Sequence, residues 1–273
     1  MLALISAGRV PAEKAARRPA LSPYRRDMVD EDGYFGESVA ASYDESVAEM
    51  FEDGVVGPAV GVLAELAGDG RALEFGVGTG RVALPLARRG VEVHGIDLSR
   101  AMVDRLRAKP GGDAVGVTVG DFATTKVDGT FRVTYLVFNT IMNLTSQDAQ
   151  VDCFRNAADH LEPGGRFVIE VGVPDLRRLP PGQSAVPFRV DEGRLGFDLY
   201  DVATQSVSSH HVRVTDGRAT FFSIPFRYAW PAELDLMARL AGLRLRSRWD
   251  GWTREPYTSD SRQHVSVWEK PAG

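Results

Sequence analysis

The stretch "RALEFGVGTGRVALPLARRGVEVHGIDLS", residues 71–99, places three glycines within five positions between an apolar run and an amphipathic segment. Gly76, Gly78 and Gly80 stand where a buried strand is predicted to turn into a helix. Because glycine adopts positive φ and has no Cβ, the main chain of such a turn can approach a ligand closely. The stretch therefore predicts an α/β fold with a small-molecule site at this first turn.

Short apolar segments alternate with amphipathic ones along the middle of the chain. The predicted strands are 71–76, 91–97, 114–119, 131–139 and 165–173. The predicted helices that precede or separate them are 34–67, with a break at Gly57–Pro58, 80–89, 99–108 and 147–161. This alternation is typical of a parallel sheet whose strands are joined by right-handed crossovers. A helix at 231–242 and strands near 243–249 and 264–269 complete the pattern.

The sequence pattern changes after Pro174. Three segments with period-two alternation lie within residues 186–228: "LGFDLYDV", "QSVSSHHVRV" and "ATFFSIPFRY". The hairpin signal "TDGR" joins the last two, so the region is predicted as an antiparallel meander. Residues 1–33, which begin with a stretch rich in Ala, Arg and Pro, are predicted as a disordered N-terminal extension, and 34–273 as a single domain.

The composition limits the partners. Lys and Arg number 32 against 37 Asp and Glu, and the resulting charge of −5 argues against sequence-independent nucleic-acid binding. No stretch approaches the roughly 20 consecutive apolar residues of a membrane span. The single cysteine, Cys153, cannot form an internal disulfide, and no Cys/His spacing suggests zinc. These features predict a cytoplasmic protein with a small-molecule substrate, no metal, and no nucleic-acid or membrane partner; a homodimer stays open.

The acids around the glycine turn indicate the ligand. A dinucleotide fingerprint reads G-x-G-x-x-G, whereas this turn reads G-x-G-x-G and follows Glu74. A carboxylate there would repel a pyrophosphate, but it suits a ligand that carries an ammonium or a sulfonium group. Asp97 ends the second predicted strand, 17 residues after Gly80, and can accept hydrogen bonds from both hydroxyls of a ribose. The pattern favours a nucleoside that carries an amino acid.

Longer segments carry a resemblance to a known family. "LEFGVGTGRVALPLARRGVEVHGIDLSRAMV" resembles the first two cofactor motifs of the class I S-adenosylmethionine-dependent methyltransferases, and "VTVGDFATTKV" with "FRVTYLVFNTIMNL" resembles the third and fourth. The resemblance spans residues 35–270. It implies a Rossmann-like, seven-stranded, mostly parallel sheet with flanking helices, an antiparallel insertion over the active site, and S-adenosyl-L-methionine as cofactor. "FNTIMNL" also resembles a segment of sugar amino-methyltransferases from antibiotic pathways, which implies secondary metabolism.

The same resemblance implies cofactor contacts. The implied residues are Tyr43, Glu74, Gly76, Gly78, Gly80, Arg81, Asp97, Leu98, Met102, Asp121, Phe122 and Phe138. By this resemblance the glycines line the methionine part, Asp97 holds the ribose, and Asp121 with Phe122 meets the edge and face of the adenine.

Four of these residues have a second interpretation. Leu98 and Met102 flank the adenine in the family pattern, but they are also compatible with ordinary core packing. Tyr43 either covers the cofactor or packs between helices. Arg81 either reaches the methionine carboxylate or simply begins a helix.

The candidate catalytic residues are His210, His211 and Asn143. Methyl transfer is an in-line displacement, so positioning supplies most of the catalysis, and a histidine is the natural base for an acceptor that must lose a proton. His210 and His211 are neighbours in a predicted strand, so at most one should face the site. Asn143 stands where the sugar amino-methyltransferase segment has a histidine, and its amide cannot act as a base, although it can position a substrate.

Other functions stay open at this point. The acceptor atom can be nitrogen, oxygen or carbon. A nicotinamide-dependent oxidoreductase is an alternative, although the glycine spacing and the lack of a Tyr-x-x-x-Lys pair argue against it. The other alternative is a methyltransferase-like binding protein that catalyses no reaction.

Overall fold

The computed structural model describes residues 32–174, 176–215 and 217–272. A seven-stranded sheet lies at its centre. In chain order, its strands are β1 (Ala72–Phe75), β2 (Val93–Asp97), β3 (Gly116–Val119), β4 (Phe131–Leu136), β5 (Leu161–Gly172), β10 (Arg244–Trp249) and β11 (Gln263–Glu269). The order across the sheet is β10-β11-β5-β4-β1-β2-β3, and β11 is antiparallel to both of its neighbours while the other pairs are parallel.

Helices cover both faces of this sheet. They are α1 (Glu37–Ala40), α2 (Tyr43–Ser46), α3 (Asp53–Ala67), α4 (Ala83–Arg88), α5 (Arg100–Arg107), α6 (Gln147–His160) and α7 (Pro231–Leu240). Leu73 and Phe75 of β1 are buried in one apolar cluster with α6 and α7, whereas Ala72 belongs to a second cluster with α3 and α4. Because β1 is covered on both faces, it is apolar along its length except at Glu74.

Four further strands form a separate antiparallel sheet. They are β6 (Ala185–Asp191), β7 (Arg194–Asp201), β8 (Ser206–Thr215) and β9 (Arg218–Arg227), in the order β6-β7-β8-β9. The prediction of three strands was wrong here, because β6 was missed. Pro187 and a register shift between Pro187 and Arg189 interrupt the period-two alternation of β6. The predicted β8–β9 hairpin is confirmed, since Thr215 pairs with Arg218.

A buried polar network fastens this second sheet to the helices. Arg227, which is 5% exposed, donates to Gln150 Oε1 of α6 at 2.5 Å and forms an ion pair with Glu233 of α7 at 2.7 Å. The Gln150 amide nitrogen in turn donates to the carbonyl oxygens of Arg227 and Ile141 at 3.1 and 3.2 Å. Because Ile141 belongs to the turn that follows β4, the network holds the antiparallel sheet against that turn.

The expected fold class is confirmed, with two local differences in the N-terminal half. The region predicted as helical from residue 34 begins with the short helices α1 and α2, separate from α3. The helix predicted to break at Gly57–Pro58 instead continues through Pro58 as α3, although this proline removes one N–H donor. The predicted N-terminal extension, 1–33, falls outside the described residues except for its last two positions. Within the described ranges, no helix is long and apolar enough to cross a membrane.

Candidate active site

The glycine turn has the backbone that its sequence predicts. Gly76, Gly78 and Gly80 have φ values of 71°, 53° and 83°, which L residues with side chains rarely adopt. A Cβ at Gly76 would also stand 2.6 Å from Cγ2 of Thr140, so the turn packs directly on residues 138–143, the turn after β4. Both turns lie at the carboxyl ends of adjacent parallel strands, β1 and β4.

Asp97 ends β2 beside the glycine turn. Its Oδ2 accepts a hydrogen bond from the Gly78 N–H at 2.7 Å, and its Oδ1 accepts one from the Ser99 N–H at 2.9 Å. Burial raises the pKa of Asp97 above its ordinary value, although these backbone hydrogen bonds oppose the shift. A carboxylate offers about four lone-pair positions, so about two are left to accept hydroxyl donors of a ligand.

Glu74 lies beneath the glycine turn rather than in the open site. The residue is 2% exposed, and its Oε2 accepts a hydrogen bond from the Tyr135 hydroxyl at 3.0 Å. Burial raises the pKa of Glu74 to about 8, with the hydrogen bond from Tyr135 and the charge of Arg81 opposing that shift. The predicted acid is therefore present at the turn, but as a buried group.

The N-terminal helices are clamped onto the glycine turn. The Thr79 hydroxyl donates to Asp44 Oδ1 at 2.6 Å, and Lys109 Nζ lies 2.5 Å from Asp44 Oδ2 and 2.8 Å from the Thr79 carbonyl oxygen. Tyr43 packs edge-on against Phe35, with 6.3 Å between ring centroids. Burial raises the pKa of Tyr43, the charge of Arg81 opposes that shift, and the charges of Asp44 and Asp97 add to it.

Arg81 and Phe138 meet across the two turns. The Arg81 guanidinium lies 5.1 Å from the centroid of the Phe138 ring, and its Nη1 is 3.5 Å from the Met50 carbonyl oxygen. Phe138 itself has a φ of 56° and is 36% exposed, and its N–H donates to Glu170 Oε2 at 2.9 Å. This cation–π contact leaves a basic group and an aromatic face at the mouth of the turn.

The residues expected around an adenine are divided between surface and core. Leu98 is 47% exposed, Met102 is buried, and Asp121 is exposed with its Oδ1 accepting from the Ala123 N–H at 2.8 Å. The Phe122 ring is buried against the Phe75 ring, with 5.9 Å between centroids. The Phe122 ring therefore belongs to the core, and its carbonyl oxygen accepts a hydrogen bond from Asn156 Nδ2 at 2.8 Å.

A cleft of about 240 Å³ opens on the other side of the turn after β4. The turn, the end of β5 and the antiparallel sheet enclose it. Its lining residues are Asn139, Met142, Gly172, Val173, Pro174, Asp198, Tyr200, Val207, Ser209, Phe226 and Tyr228. Residues 138–143 thus border both the glycine turn and the cleft. This volume is somewhat below the about 300–1,000 Å³ of typical small-molecule sites, so the cleft fits one ring or chain end of a larger acceptor.

Comparison with known proteins identifies the family. A methyltransferase-domain family model matches residues 72–165. The cypemycin N-terminal methyltransferase of a Streptomyces species is 30% identical over 240 residues, which make up 84% of this chain and 97% of that protein. The CcbJ methyltransferase of Streptomyces caelestis is 38% identical with a TM-score of 0.77, over 87% of this chain and 98% of that one. The chain belongs to the S-adenosylmethionine-dependent methyltransferases.

A more distant structure shares the fold of this methyltransferase. The amino pentose methyltransferase CalS10 of Micromonospora echinaspora, solved with S-adenosylmethionine bound, is 20% identical with a TM-score of 0.63, over 85% of this chain and 96% of that one. The family assignment sets aside the nicotinamide-dependent oxidoreductase that the glycine turn left open. The glycine turn also fits the cofactor chemically, because Asp97 suits a ribose and the turn leaves the main chain accessible.

The predicted catalytic residues of this methyltransferase stand apart from the cleft lining. Directly paired residues of an antiparallel sheet share a face, so His211, which pairs with Gly196 and Phe222, lies on the cleft-facing side beyond Ser209. His210 lies on the opposite face, where its ring centroid is 4.9 Å from that of Phe197. The expectation that only one of the pair faces the site agrees with this register, but neither lines the cleft.

The turn after β4 contributes residues other than Asn143. Asn139 and Met142 line the cleft, whereas Asn143 does not. Asn139 is held in a left-handed conformation, with φ of 62°, and its Oδ1 accepts a hydrogen bond from the Gly172 N–H at 2.7 Å. Asp198 was missed as a site residue, although the alternation in "LGFDLYDV" places it on one face of a strand with Tyr200.

Proposed function

We propose that this enzyme transfers the methyl group of S-adenosylmethionine to an amine nitrogen of a small natural-product acceptor. The observation that carries the proposal is the position of residues 138–143, which separate the glycine turn from the cleft and border both. A donor at the glycine turn and an acceptor in the cleft therefore approach each other over one turn. The name of the cypemycin N-terminal methyltransferase, 30% identical to this chain, favours nitrogen over oxygen or carbon.

The residues of the glycine turn and the neighbouring strand ends would hold the cofactor. The Asp97 carboxylate would accept the ribose hydroxyls, while Gly78 N–H keeps that carboxylate in place. Leu98 and Met102 would pack on the adenine, with Asp121 at its edge. The glycines allow the main chain close to the methionine part, and Arg81 would pair with its carboxylate.

The bound cofactor supplies a methyl group on a positively charged sulfur. The protein's contribution is to hold an amine in line with that carbon and to exclude water, and such positioning alone can account for about 7–11 kcal/mol of a barrier. Tyr43, Phe138 and the N-terminal helices clamped by Asp44 would close the cofactor side, and the antiparallel sheet would close the acceptor side.

The cysteine content and the net charge indicate where the enzyme works and on what kind of acceptor. We place the enzyme in the cytoplasm, since its one cysteine, Cys153, is buried and cannot form an internal disulfide. A net charge of −5 supports a small-molecule acceptor over a nucleic acid.

Calorimetric titration with S-adenosylmethionine tests the cofactor half of the proposal. Asp97→Ala should weaken binding by about 10–100-fold, because it removes charge-assisted hydrogen bonds of about 1.5–3 kcal/mol. The matched control is Asp104→Ala, which removes an exposed acid of α5 and should bind like the parent protein. Absent binding by the parent protein, or equal affinity of the parent protein and Asp97→Ala, would overturn the assignment.

A further inference from the structure

The charge of the cleft comes from one side chain. Asn139, Tyr200, Ser209 and Tyr228 give the cleft polar but uncharged groups. Among the described residues that line it, Asp198 of β7 is the single charged one. A lone carboxylate in a partly enclosed cleft favours a cationic ligand group, because water screens the attraction less there than at the open surface.

Neighbouring strands hold this carboxylate in place. Asp198 pairs directly with Ser209 of β8, and its interaction with the Ser209 side chain lowers the pKa of the carboxylate. Ser209 is 7% exposed, and its Oγ lies 3.3 Å from Nε2 of His211 on the same face. The three side chains therefore lie along the inner face of the sheet, where Asp198 and Ser209 both line the cleft and His211 lies beyond them.

Two basic side chains act on Asp198 from outside the cleft lining. The charges of His210 and Arg178 lower the pKa of Asp198, while burial has the larger, opposite effect and leaves that pKa raised. Arg178 Nη2 donates to the Pro187 carbonyl oxygen at 3.3 Å, and the His210 ring lies on the other face of the sheet. Neither group lines the cleft, so the face of the carboxylate toward the cleft is available to a ligand.

We propose that Asp198 binds the protonated amine of the acceptor and removes the proton that blocks its lone pair. The inference rests on the proposed function and names the residue that selects and prepares the acceptor. An ammonium, R–NH₃⁺, has no lone pair for attack, so one proton passes to the Asp198 carboxylate and leaves R–NH₂. The nitrogen lone pair then forms the N–CH₃ bond while the C–S bond breaks, and that electron pair stays on sulfur.

The surroundings of Asp198 suit both steps. Burial raises its pKa toward that of an amine, which lowers the cost of moving the proton. Burial, and next the charge of His210, lower the pKa of His211, which favours its neutral form and so limits competition with a cationic acceptor. Ser209 is then a positioning residue, because it pairs directly with Asp198 and acts on the acceptor through that carboxylate.

A comparison of amines with neutral compounds of the same shape tests the proposal without knowledge of the natural acceptor. The probes are cyclohexylamine against cyclohexanol, and a methyl aminopentoside against the corresponding pentoside, each titrated by ligand-observed NMR into protein saturated with S-adenosylhomocysteine. In at least one pair, the parent protein should bind the amine about tenfold more tightly than the neutral compound, the factor expected for one charge-assisted hydrogen bond. Asp198→Asn should abolish this preference.

Matched variants separate the role of Asp198 from a general effect on the sheet. Asp191→Asn removes an exposed acid of β6 and should keep the preference for the amine. Ser209→Ala should weaken this preference, whereas Ser208→Ala, on the opposite face of β8, should leave it unchanged. Asp198→Glu should restore part of it. The preference is a ratio of two affinities, so a loosened sheet alone does not change it.

The outcomes are distinct. If the protein binds S-adenosylhomocysteine but shows no preference for either amine, or if Asp198→Asn retains the preference, the role of Asp198 is wrong while the methyltransferase assignment stands. If the folded parent protein binds neither S-adenosylmethionine nor S-adenosylhomocysteine, the proposed function itself fails.

Discussion

The glycine turn and the antiparallel sheet meet at residues 138–143, but different parts of the chain build their surfaces. At the glycine turn, main-chain geometry sets the shape: three glycines have positive φ, and the Gly78 N–H orients Asp97. On the sheet, alternating side chains set the shape, and a polar network around Arg227 holds that sheet in place. A surface made by the main chain tolerates few substitutions, whereas one made by side chains can change its ligand by exchanging them.

This comparison suggests how one fold serves many acceptors. The cofactor half depends on a loop conformation that most residues cannot adopt. The acceptor half depends on a few positions such as Asp198 and Tyr200, on a sheet that packs on the domain through Arg227. Four measurements test this contrast.

The largest expected effect concerns Glu74, the buried acid beneath the glycine turn. Its pKa is about 8 in the folded protein against 4.5 when exposed, so between these pH values the folded state holds a proton that the unfolded state has lost. The free energy of unfolding contributed by Glu74 is therefore fully present below pH 4.5 and falls as pH rises, by about 5 kcal/mol in total by pH 8. Urea unfolding across this pH range measures the slope.

The variant Glu74→Gln removes the titrating group and keeps an oxygen that can accept from Tyr135. Its unfolding free energy should fall less steeply with pH than that of the parent protein, whereas Glu49→Gln, an exposed control, should follow the parent curve. If the unfolding free energies of Glu74→Gln and the parent protein change in parallel with pH, Glu74 does not have a raised pKa beneath the turn.

The next largest effect concerns Arg227, which attaches the antiparallel sheet. Hydrogen bonds from Gln205, Arg227 and Gln147 outweigh the effect of burial and lower the pKa of Glu233, so the Arg227 partner is an anion at pH 7. Arg227→Met removes the counter-charge of this anion, which keeps only the amide donors of Gln205 and Gln147, and it leaves the Gln150 amide oxygen without its partner. The variant should therefore cost about 3–5 kcal/mol of unfolding free energy. Chemical denaturation measures it, with the exposed Arg213→Met of β8 as control.

This variant also separates the two halves of the site. The contacts of Arg227 do not include the glycine turn, so affinity for S-adenosylmethionine in the folded variant should stay within about twofold of the parent value, less than the 1.4 kcal/mol of a tenfold change. A large loss of cofactor affinity would show that the turn and the sheet are one coupled unit, contrary to the contrast drawn above.

The sequence predicted the parallel sheet and the glycine turn because local chemistry decides both. Buried strands such as β1 must be apolar on both faces, and the turn needs glycine whatever lies around it. The buried position of Glu74 was not predictable, because the Tyr135 hydroxyl that contacts it is 61 positions away in the chain. The same holds for Phe122, whose ring joins the core through Phe75.

The acceptor side was less predictable because one of its strands, β7, inverts the usual pattern. Apolar side chains normally mark the inner face of an antiparallel strand, but in β7 the apolar Leu195 and Leu199 are 46% and 37% exposed. The alternating polar positions, Asp198 and Tyr200, face the cleft instead. Periodicity finds the two faces of a strand but does not tell which one covers a ligand site. The adjacent histidines were therefore predicted as site residues and Asp198 was not.

The smallest effect tests the main-chain half by comparing two glycines with the same backbone conformation. Gly80 and Gly90 have φ of 83° and 88°, but a Cβ at Gly80 would lie 2.9 Å from Leu84 Cγ and 3.0 Å from Leu106 Cγ, whereas a Cβ at Gly90 meets nothing within 4 Å. Ala at either position carries the left-handed strain of about 1–2 kcal/mol. Gly80→Ala should cost about 1–3 kcal/mol more, because it also overpacks the core. Thermal unfolding of both variants measures the difference. Equal losses of stability would mean that position 80 needs glycine for its backbone conformation alone and leaves space for a side chain. Packing would then set the shape of the turn less strictly than that of the sheet.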